Sequence, residues 1–149
     1  MDGFHFATDV RVRFAETDAQ GIVHNANYLV WFELARVAYL AEHAGGYKAL
    51  REQGLEALVV EAHVRYGLPA RFDDRLRIHA RVRDVRGARF RYEYAVTRGE
   101  ELIAEGWTGH ACVDAKTFRP TRIPATLREA IARAEARGQA PASANPDAC

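Results

Sequence analysis

Residues 16–28 contain the side chains of this sequence that are best suited to chemistry. Asp18 follows a segment of alternating apolar and polar residues, and Gly21 permits a bend before polar residues lead into a long apolar stretch. If that stretch is a helix, its first backbone N–H groups lack intrahelical partners and carry partial positive charge, so they can hold an oxyanion. Asp18 could lie beside the same point. The segment therefore predicts acyl hydrolysis, with a carboxylate that attacks or activates water and a helix start that stabilises the tetrahedral oxygen.

The polar residues before the apolar stretch have more than one interpretation. His24 could orient a substrate or carry a proton, because histidine is the residue type whose ordinary pKa is nearest neutrality, and it could equally pack on a partner subunit. Asn25 and Asn27 compete as the helix cap, a structural role that needs no catalysis. Tyr28 could belong to the core, contact a substrate, or do both.

The elements that must position these residues can be predicted from periodicity. Residues 10–14 alternate apolar and polar side chains, which predicts a half-buried strand. The stretch from Tyr28 to Leu40 contains no Gly or Pro and is followed by Gly45-Gly46, which predicts a helix of three or four turns. Its apolar residues cover nearly the whole circumference, so we expect this helix to be buried all round.

The remainder of the core has the alternation of β-strands. Arg86-Gly87 and Arg98-Gly99 indicate hairpin turns. We expect the helix to be followed by four strands in antiparallel succession, at residues 58–66, 76–82, 90–96 and 101–114. One curved antiparallel sheet on one long helix is an α+β architecture. Five strands leave a sheet edge uncovered, which pairing with a second copy would cover.

The segment from Thr17 to Tyr28 resembles the signature of the 4-hydroxybenzoyl-CoA thioesterase family, including its YbgC-like members. That signature has an Asp, then Gly-Ile/Val-Val, then an aromatic residue or His, then Tyr, and then a helix with Trp/Tyr-Phe-Glu, here Trp31-Phe32-Glu33. The resemblance covers roughly residues 8–130 and continues in Val64-Arg65-Tyr66, in the segment from Pro69 to Asp74, and in the segment from Arg119 to Pro124.

The resemblance implies a hotdog fold, in which a curved five-stranded antiparallel sheet wraps one long central helix and two copies form one continuous sheet. It also implies hydrolysis of an acyl-CoA to a free acid and CoA, at active sites between subunits, with no metal and no organic cofactor. Asp18 matches the catalytic carboxylate, as nucleophile or general base, and the backbone N–H of Asn25 matches the oxyanion donor. Some relatives have Tyr-His where this chain has His24-Asn25, so no role for the side chain at 25 follows.

The candidate substrate-binding residues extend beyond this segment. Glu61 and His63 share the strand face opposite Val60 and Ala62; that face would be solvated in a single copy and could line the acyl pocket in a dimer. Three arginines, Arg65, Arg89 and Arg91, could bind CoA phosphates or could simply be solvated. The full set is Gly21, Tyr28, Glu61, His63, Arg65, Arg89 and Arg91.

Two other functions use the same features. A hydratase or dehydratase acting on acyl thioesters would need an Asp/His pair, which Asp18 and His24 could supply, although the flanking residues match the thioesterases better. A non-enzymatic acyl-CoA-binding protein would gain nothing from an anion beside the thioester. Catalysis by a Ser/His/Asp triad has no support, since the only serine is Ser143.

Length and charge restrict the remaining possibilities. The chain has 149 residues and a formal net charge of +1, which suits one domain and gives no field to attract nucleic acid or a membrane. We expect one hotdog thioesterase domain at residues 1–137, with a short surface helix at 125–137, and a disordered tail at 138–149. The expected partners are an acyl-CoA and the chain itself, as a homodimer or a dimer of dimers.

Two cysteines and the start of the chain bear on the cellular compartment. Cys112 lies in an apolar stretch and Cys149 is the last residue, so there is no disulfide framework and no zinc signature. Cys112 is predicted to be a core residue. The first residues do not resemble a signal peptide, and no apolar run is long enough for a membrane span. These features predict a cytoplasmic protein.

Overall fold

The chain folds as three helices and five strands in a computed structural model that describes residues 1–137. The elements in chain order are β1 (Phe6–Arg11), α1 (Asn27–Ala44), α2 (Gly46–Glu52), β2 (Leu55–Tyr66), β3 (Arg75–Arg86), β4 (Arg89–Arg98), β5 (Glu101–Asp114) and α3 (Ala125–Ala136). The 3-10 turn Phe14–Glu16 connects β1 to the loop before α1. The predicted α+β class with one long helix is confirmed.

All five strands form one antiparallel sheet in the order β1-β3-β4-β5-β2. The prediction of four strands in simple succession is correct for β3, β4 and β5 and wrong for β2. Two-residue turns after Arg86 and Arg98 force β3, β4 and β5 to be neighbours, and Gly87 and Gly99 have the positive φ that such turns need. The longer connection at 67–74 instead lets the chain cross from β2, beside β5, to β3.

Strand β1 begins and ends earlier than predicted. The strand runs from Phe6 to Arg11, and Phe14, expected at its end, belongs to the 3-10 turn and is 76% exposed. Glu16 ends the extended conformation, because its side chain accepts a hydrogen bond from the backbone N–H of Arg13 at 2.8 Å. Alternation of apolar and polar residues alone does not distinguish a strand at residues 6–11 from one at residues 10–14.

Helix α1 is buried on one side only, so the prediction of burial all round is wrong for the single chain. Its inward face includes Trp31, Phe32 and Tyr39, which pack under the sheet. The opposite face carries four apolar side chains that are between 41% and 52% exposed, Leu29, Val30, Leu34 and Val37. Gly45 ends the helix in the left-handed conformation (φ 77°) and donates to Leu40 O.

A β-bulge changes the predicted faces of β2. Val59 pairs with His110 and Glu61 with Gly109, so Val60 is the additional residue. Before the bulge the helix-facing residues are Leu55, Ala57 and Val59, and after it they are Ala62, Val64 and Tyr66, since paired residues share a face. The regular alternation predicted for residues 58–66 is therefore broken at Val60, and Leu58 faces away from Ala62, whereas Glu61 and His63 do point to the outer face.

Helix α3 is held more firmly than the predicted surface helix. Its Ala130, Ile131 and Ala134 are buried. Tyr39 Oη and the backbone N–H of Val82 both donate to Glu135 Oε1, at 2.7 and 2.9 Å, and Arg83 Nη1 lies 3.0 Å from Oε2. Cys112 is fully buried, as predicted.

The predicted disordered tail at 138–149 lies outside the described residues. None of the helices in residues 1–137 has the length and apolar character needed to cross a membrane.

Candidate active site

The loop before α1 is a tight turn with Asp18 at its base. Thr17 and Val23 form an isolated antiparallel bridge. The Asp18 N–H donates to Ile22 O, and the Gly21 N–H donates back to Asp18 O, each at 2.9 Å. Gly21 has φ 75°, a conformation that favours glycine. This turn fixes where the Asp18 side chain emerges.

The Asp18 carboxylate is only lightly engaged by the protein. It is partly buried, and Oδ1 accepts the backbone N–H of Gln20 at 2.8 Å. Within the described part of the chain, no arginine, lysine or histidine forms an ion pair with it. A carboxylate without a paired cation keeps its lone pairs available to attack a carbonyl or to accept a proton from water.

Glu16, which begins the segment 16–28 but had no predicted role, fastens this loop to α1. It is 5% exposed, and Oε2 accepts the indole N–H of Trp31 at 2.9 Å. Its backbone oxygen accepts the N–H of His24 at 2.8 Å and Asn27 Nδ2 at 3.0 Å. A glutamate beside a turn is usually solvated, so only its proximity to the Asp18 segment could have drawn attention to it.

The start of α1 differs from the predicted capping. Ala26 occupies the cap position without any side-chain cap bond, so neither Asn25 nor Asn27 is the cap. Asn27 reaches back to Glu16, and Asn25 O accepts the Tyr66 hydroxyl at 3.0 Å. Among residues 1–137 the backbone N–H of Asn25 has no acceptor. It is thus available as a donor at the positive end of the helix.

These residues surround a cleft of about 640 Å³, hereafter the Asp18 cleft. It brings together four of the predicted site residues, Asp18, His24, Asn25 and Tyr28. Its other walls are Gln20, Ile22, Val23 and the segment 66–69 after β2. Tyr66, which packs edge-to-face on Tyr28 with ring centroids 5.2 Å apart, was not among the predicted site residues.

The remaining predicted substrate-binding residues lie elsewhere in the single chain. Gly21 forms the turn rather than the cleft wall, and its oxygen accepts Arg71 Nη1 at 3.4 Å. Glu61, His63 and Arg65 are exposed on the outer face of the edge strand β2.

The two arginines of β4 are also on the outer side of the sheet. Arg91 lies over the ring of Trp107, at 4.5 Å from its centroid, and 3.7 Å from Asp84. Arg89 is exposed at the start of the strand. Neither residue lines the Asp18 cleft. Residues 1–137 contain no group of three His, Cys, Asp or Glu side chains that could hold a metal ion.

Comparisons with known proteins agree with this architecture. A family model described as the thioesterase-like superfamily matches residues 12–131. The acyl-CoA thioesterase YbgC of Haemophilus influenzae is 33% identical over 131 residues, covering 87% of this chain and 95% of that protein. The acyl-CoA thioester hydrolase YbgC of Escherichia coli O157:H7 is 31% identical over 123 residues, 82% of this chain and 92% of its own.

Solved structures extend the likeness to three dimensions. The DHNA-CoA thioesterase of Staphylococcus aureus superposes with a TM-score of 0.81 at 27% identity, covering 89% of this chain and 92% of that one. The predicted hotdog fold of the single chain is confirmed by this similarity.

Proposed function

Because the chain belongs to the thioesterase-like superfamily, we propose that it hydrolyses acyl-CoA thioesters with Asp18 as the catalytic carboxylate. The observation that carries this proposal is the position of Asp18: a carboxylate without a paired cation shares a cleft with the unengaged N–H of Asn25 at the start of α1. Relatives named as acyl-CoA thioesterases over most of this chain support the reaction class.

The chemistry follows from these two groups. The thioester carbonyl enters with its oxygen towards the Asn25 N–H, which stabilises the negative charge that develops there. Asp18 either attacks the carbonyl carbon, giving a mixed anhydride that water then hydrolyses, or takes a proton from the attacking water. In both cases the C–S bond breaks, CoA leaves as the thiolate and is protonated, and the acyl group leaves as the free acid.

We further propose that the functional unit is a homodimer, or a dimer of dimers, joined along β2. This twelve-residue strand is an edge of the sheet, and Val59 and Val60 on it are 49% and 51% exposed. A long exposed edge pairs readily with another strand. Antiparallel pairing of β2 with its copy would bring the partner close to Tyr66 and Leu68, which form one wall of the Asp18 cleft.

The second candidate is a hydratase or dehydratase acting on acyl thioesters. It is favoured by the one observation that His24 and Asp18 line the same cleft. A histidine at that place could transfer the proton that addition of water to an enoyl group requires. The third candidate function is that of a non-enzymatic acyl-CoA-binding protein.

A panel of short-chain, long-chain and aromatic acyl-CoAs, incubated with the protein and a thiol reagent, distinguishes the three. We expect release of free thiol with at least one acyl group. Loss of enoyl absorbance without thiol would indicate hydration, and binding without either change would indicate a binding protein. The same panel identifies the acyl group. A cytoplasmic location is part of this proposal.

A further inference from the structure

Helix α1 carries a charged residue, Arg36, on its buried face. Arg36 is only 8% exposed, and no Asp or Glu of residues 1–137 forms an ion pair with it. Glu135 of the neighbouring helix α3 is instead engaged with Arg83 and Tyr39. A buried cation without a counter-ion costs several kcal/mol, so proteins normally supply an anion beside it.

The protein supplies Arg36 with a hydroxyl but with no negative charge. Arg36 Nη1 donates to Tyr94 Oη at 3.2 Å. Its Nε is buried and has no hydrogen-bond partner. Leaving such a donor unsatisfied is costly, and it is the only buried side-chain polar atom in the described chain that lacks a partner.

The hydrogen bonds that continue from Tyr94 through Thr108 to His110 have a direction, and this direction indicates a second donor. Arginine can only donate, so Tyr94 accepts from Arg36 and its own proton goes to Thr108 Oγ1, 2.7 Å away. Thr108 then donates to His110 Nε2, also at 2.7 Å. With the protons placed in this way, His110 carries its single proton on Nδ1, and that N–H is a donor.

The network adds no negative charge of its own near neutrality. Burial, together with the nearby Arg36 cation, lowers the pKa of His110 to about 3, so the imidazole is neutral. Burial also keeps the phenols of Tyr92 and Tyr94 protonated, since it raises the pKa of both well above the usual value, to about 12 for Tyr94. The cluster therefore has one uncompensated positive charge.

Arg36 and His110 line the same small cavity of about 30 Å³, hereafter the inner cavity. Tyr47 and Tyr92 also line it, and its other walls are apolar side chains such as Ala57 and Ile131. A space of this size holds one small anion or one or two waters. It is separate from the Asp18 cleft, with which it shares no lining residue.

We propose that the inner cavity is a binding site for one small monovalent anion, of the size of chloride or bromide, between the side chains of Arg36 and His110. The anion supplies the missing counter-charge and an acceptor for donors that the chain itself leaves without one. This site is distinct from acyl-CoA hydrolysis, so its presence or absence is measured independently of activity.

Thermal unfolding in different sodium salts at one ionic strength tests the proposal. We expect bromide and chloride to raise the Tm relative to gluconate, which is too large for the cavity. The increase should saturate with halide concentration, at about 5–10 °C for a hundredfold excess over the Kd. Crystals grown in bromide should give an anomalous peak beside Arg36. Equal Tm values in the salts, or no such peak, would overturn the proposal in favour of water.

Three variants make the test specific. Arg36→Met removes the charge, and Ala57→Leu fills the inner cavity while both donors remain; each should abolish the halide dependence. Arg51→Met is the matched control, because Arg51 is an exposed arginine paired with Glu56 at 3.1 Å, and it should keep the full dependence. If Arg36→Met does not fold, Ala57→Leu decides: a halide dependence that persists in it contradicts the site.

Discussion

At the scale of single residues, the Asp18 cleft depends on side chains that do no chemistry themselves. Glu16 binds Trp31 through its carboxylate and His24 and Asn27 through its backbone, so the turn that presents Asp18 and the start of α1 are joined at one buried residue. Distances between a carboxylate and an oxyanion donor must be held closely for catalysis. In the proposed mechanism Glu16 is therefore expected to act as a positioning residue.

Asp18→Asn should lower kcat by at least about a hundredfold while the fold is retained. The amide can still accept the Gln20 N–H through its oxygen, so the turn is kept, but it can neither attack the thioester nor accept a proton. The measurement is turnover of a verified acyl-CoA substrate, with Tm as the check on folding. Asp9→Asn serves as the control, because Asp9 is an exposed carboxylate on β1 that is paired with Arg77 of β3. Wild-type turnover in Asp18→Asn would remove this residue from the mechanism.

A comparison of Asn25→Ala with Gly21→Val tests whether the backbone N–H of Asn25 or its side chain is the oxyanion donor. Asn25→Ala keeps the N–H and removes no cap, so it should change kcat little and stability by no more than about 0.5 kcal/mol. Gly21→Val should lower kcat far more than Asn25→Ala does. A Cβ at Gly21 would meet nothing within 4 Å, so the damage comes from φ 75°, which a β-branched residue resists.

A displacement of about 1 Å between the turn and the helix can cost roughly a hundredfold in rate. Both variants must first be shown to have the oligomeric state of the wild type. Loss of turnover in Asn25→Ala, combined with tolerance of Gly21→Val, would assign the chemistry to the Asn25 side chain instead.

At the scale of elements, the side-chain hydrogen bonds that join α3 to the other elements of residues 1–137 converge on a single carboxylate. Glu135 accepts hydrogen bonds from Tyr39 on α1 and from the backbone of Val82, beyond the point where β1 stops pairing with β3. One side chain thus replaces a missing strand partner and fixes a helix.

Glu135→Ala should lower the free energy of unfolding by about 2–4 kcal/mol, because it leaves Arg83, Tyr39 and the Val82 N–H without their acceptor. Urea denaturation measures the change. Glu129→Ala, at an exposed position of the same helix, should cost less than about 0.5 kcal/mol. Similar losses in the two variants would mean that α3 is held by its apolar face alone.

The elements differ in how well the sequence predicted them. Strand β5 was predicted with its observed ends, since its alternation and its flanking turn are both local signals. The bulge at Val60 and the position of β2 beside β5 depend on pairing between distant segments, which periodicity does not contain. The burial of charged residues such as Glu16 and Arg36 could not be predicted for the same reason. Their partners come from other elements, so in the sequence alone they look like ordinary polar residues.

At the scale of the whole molecule, two of the exposed apolar surfaces could join copies of the chain. One is the edge strand β2, and the other is the outward face of α1 with Leu29, Val30, Leu34 and Val37. Two such faces correspond to the two contacts that a dimer of dimers needs.

Sedimentation should show a stable dimer or tetramer at micromolar concentration. Val60→Lys on β2 should dissociate it and reduce activity together with assembly, because a charge is placed at the proposed strand pairing. Leu102→Lys, at an exposed position on β5 that is 40% accessible, should leave both unchanged. An active monomer in the wild type would contradict the proposed dimer.

The strand order also has a consequence for the order of folding. Strands β3, β4 and β5 are joined by two-residue turns, whereas β2 must find β5 across the two strands that separate them in sequence. Because closing long loops is slow, we expect the β3–β5 meander to form first. Pulse-labelled hydrogen exchange should then protect its amides before those of Gly67 and Leu68, which both donate to Ile103 O. The wall that β2 contributes to the Asp18 cleft would be added last, so the nascent chain passes through most of its folding before it can bind a substrate.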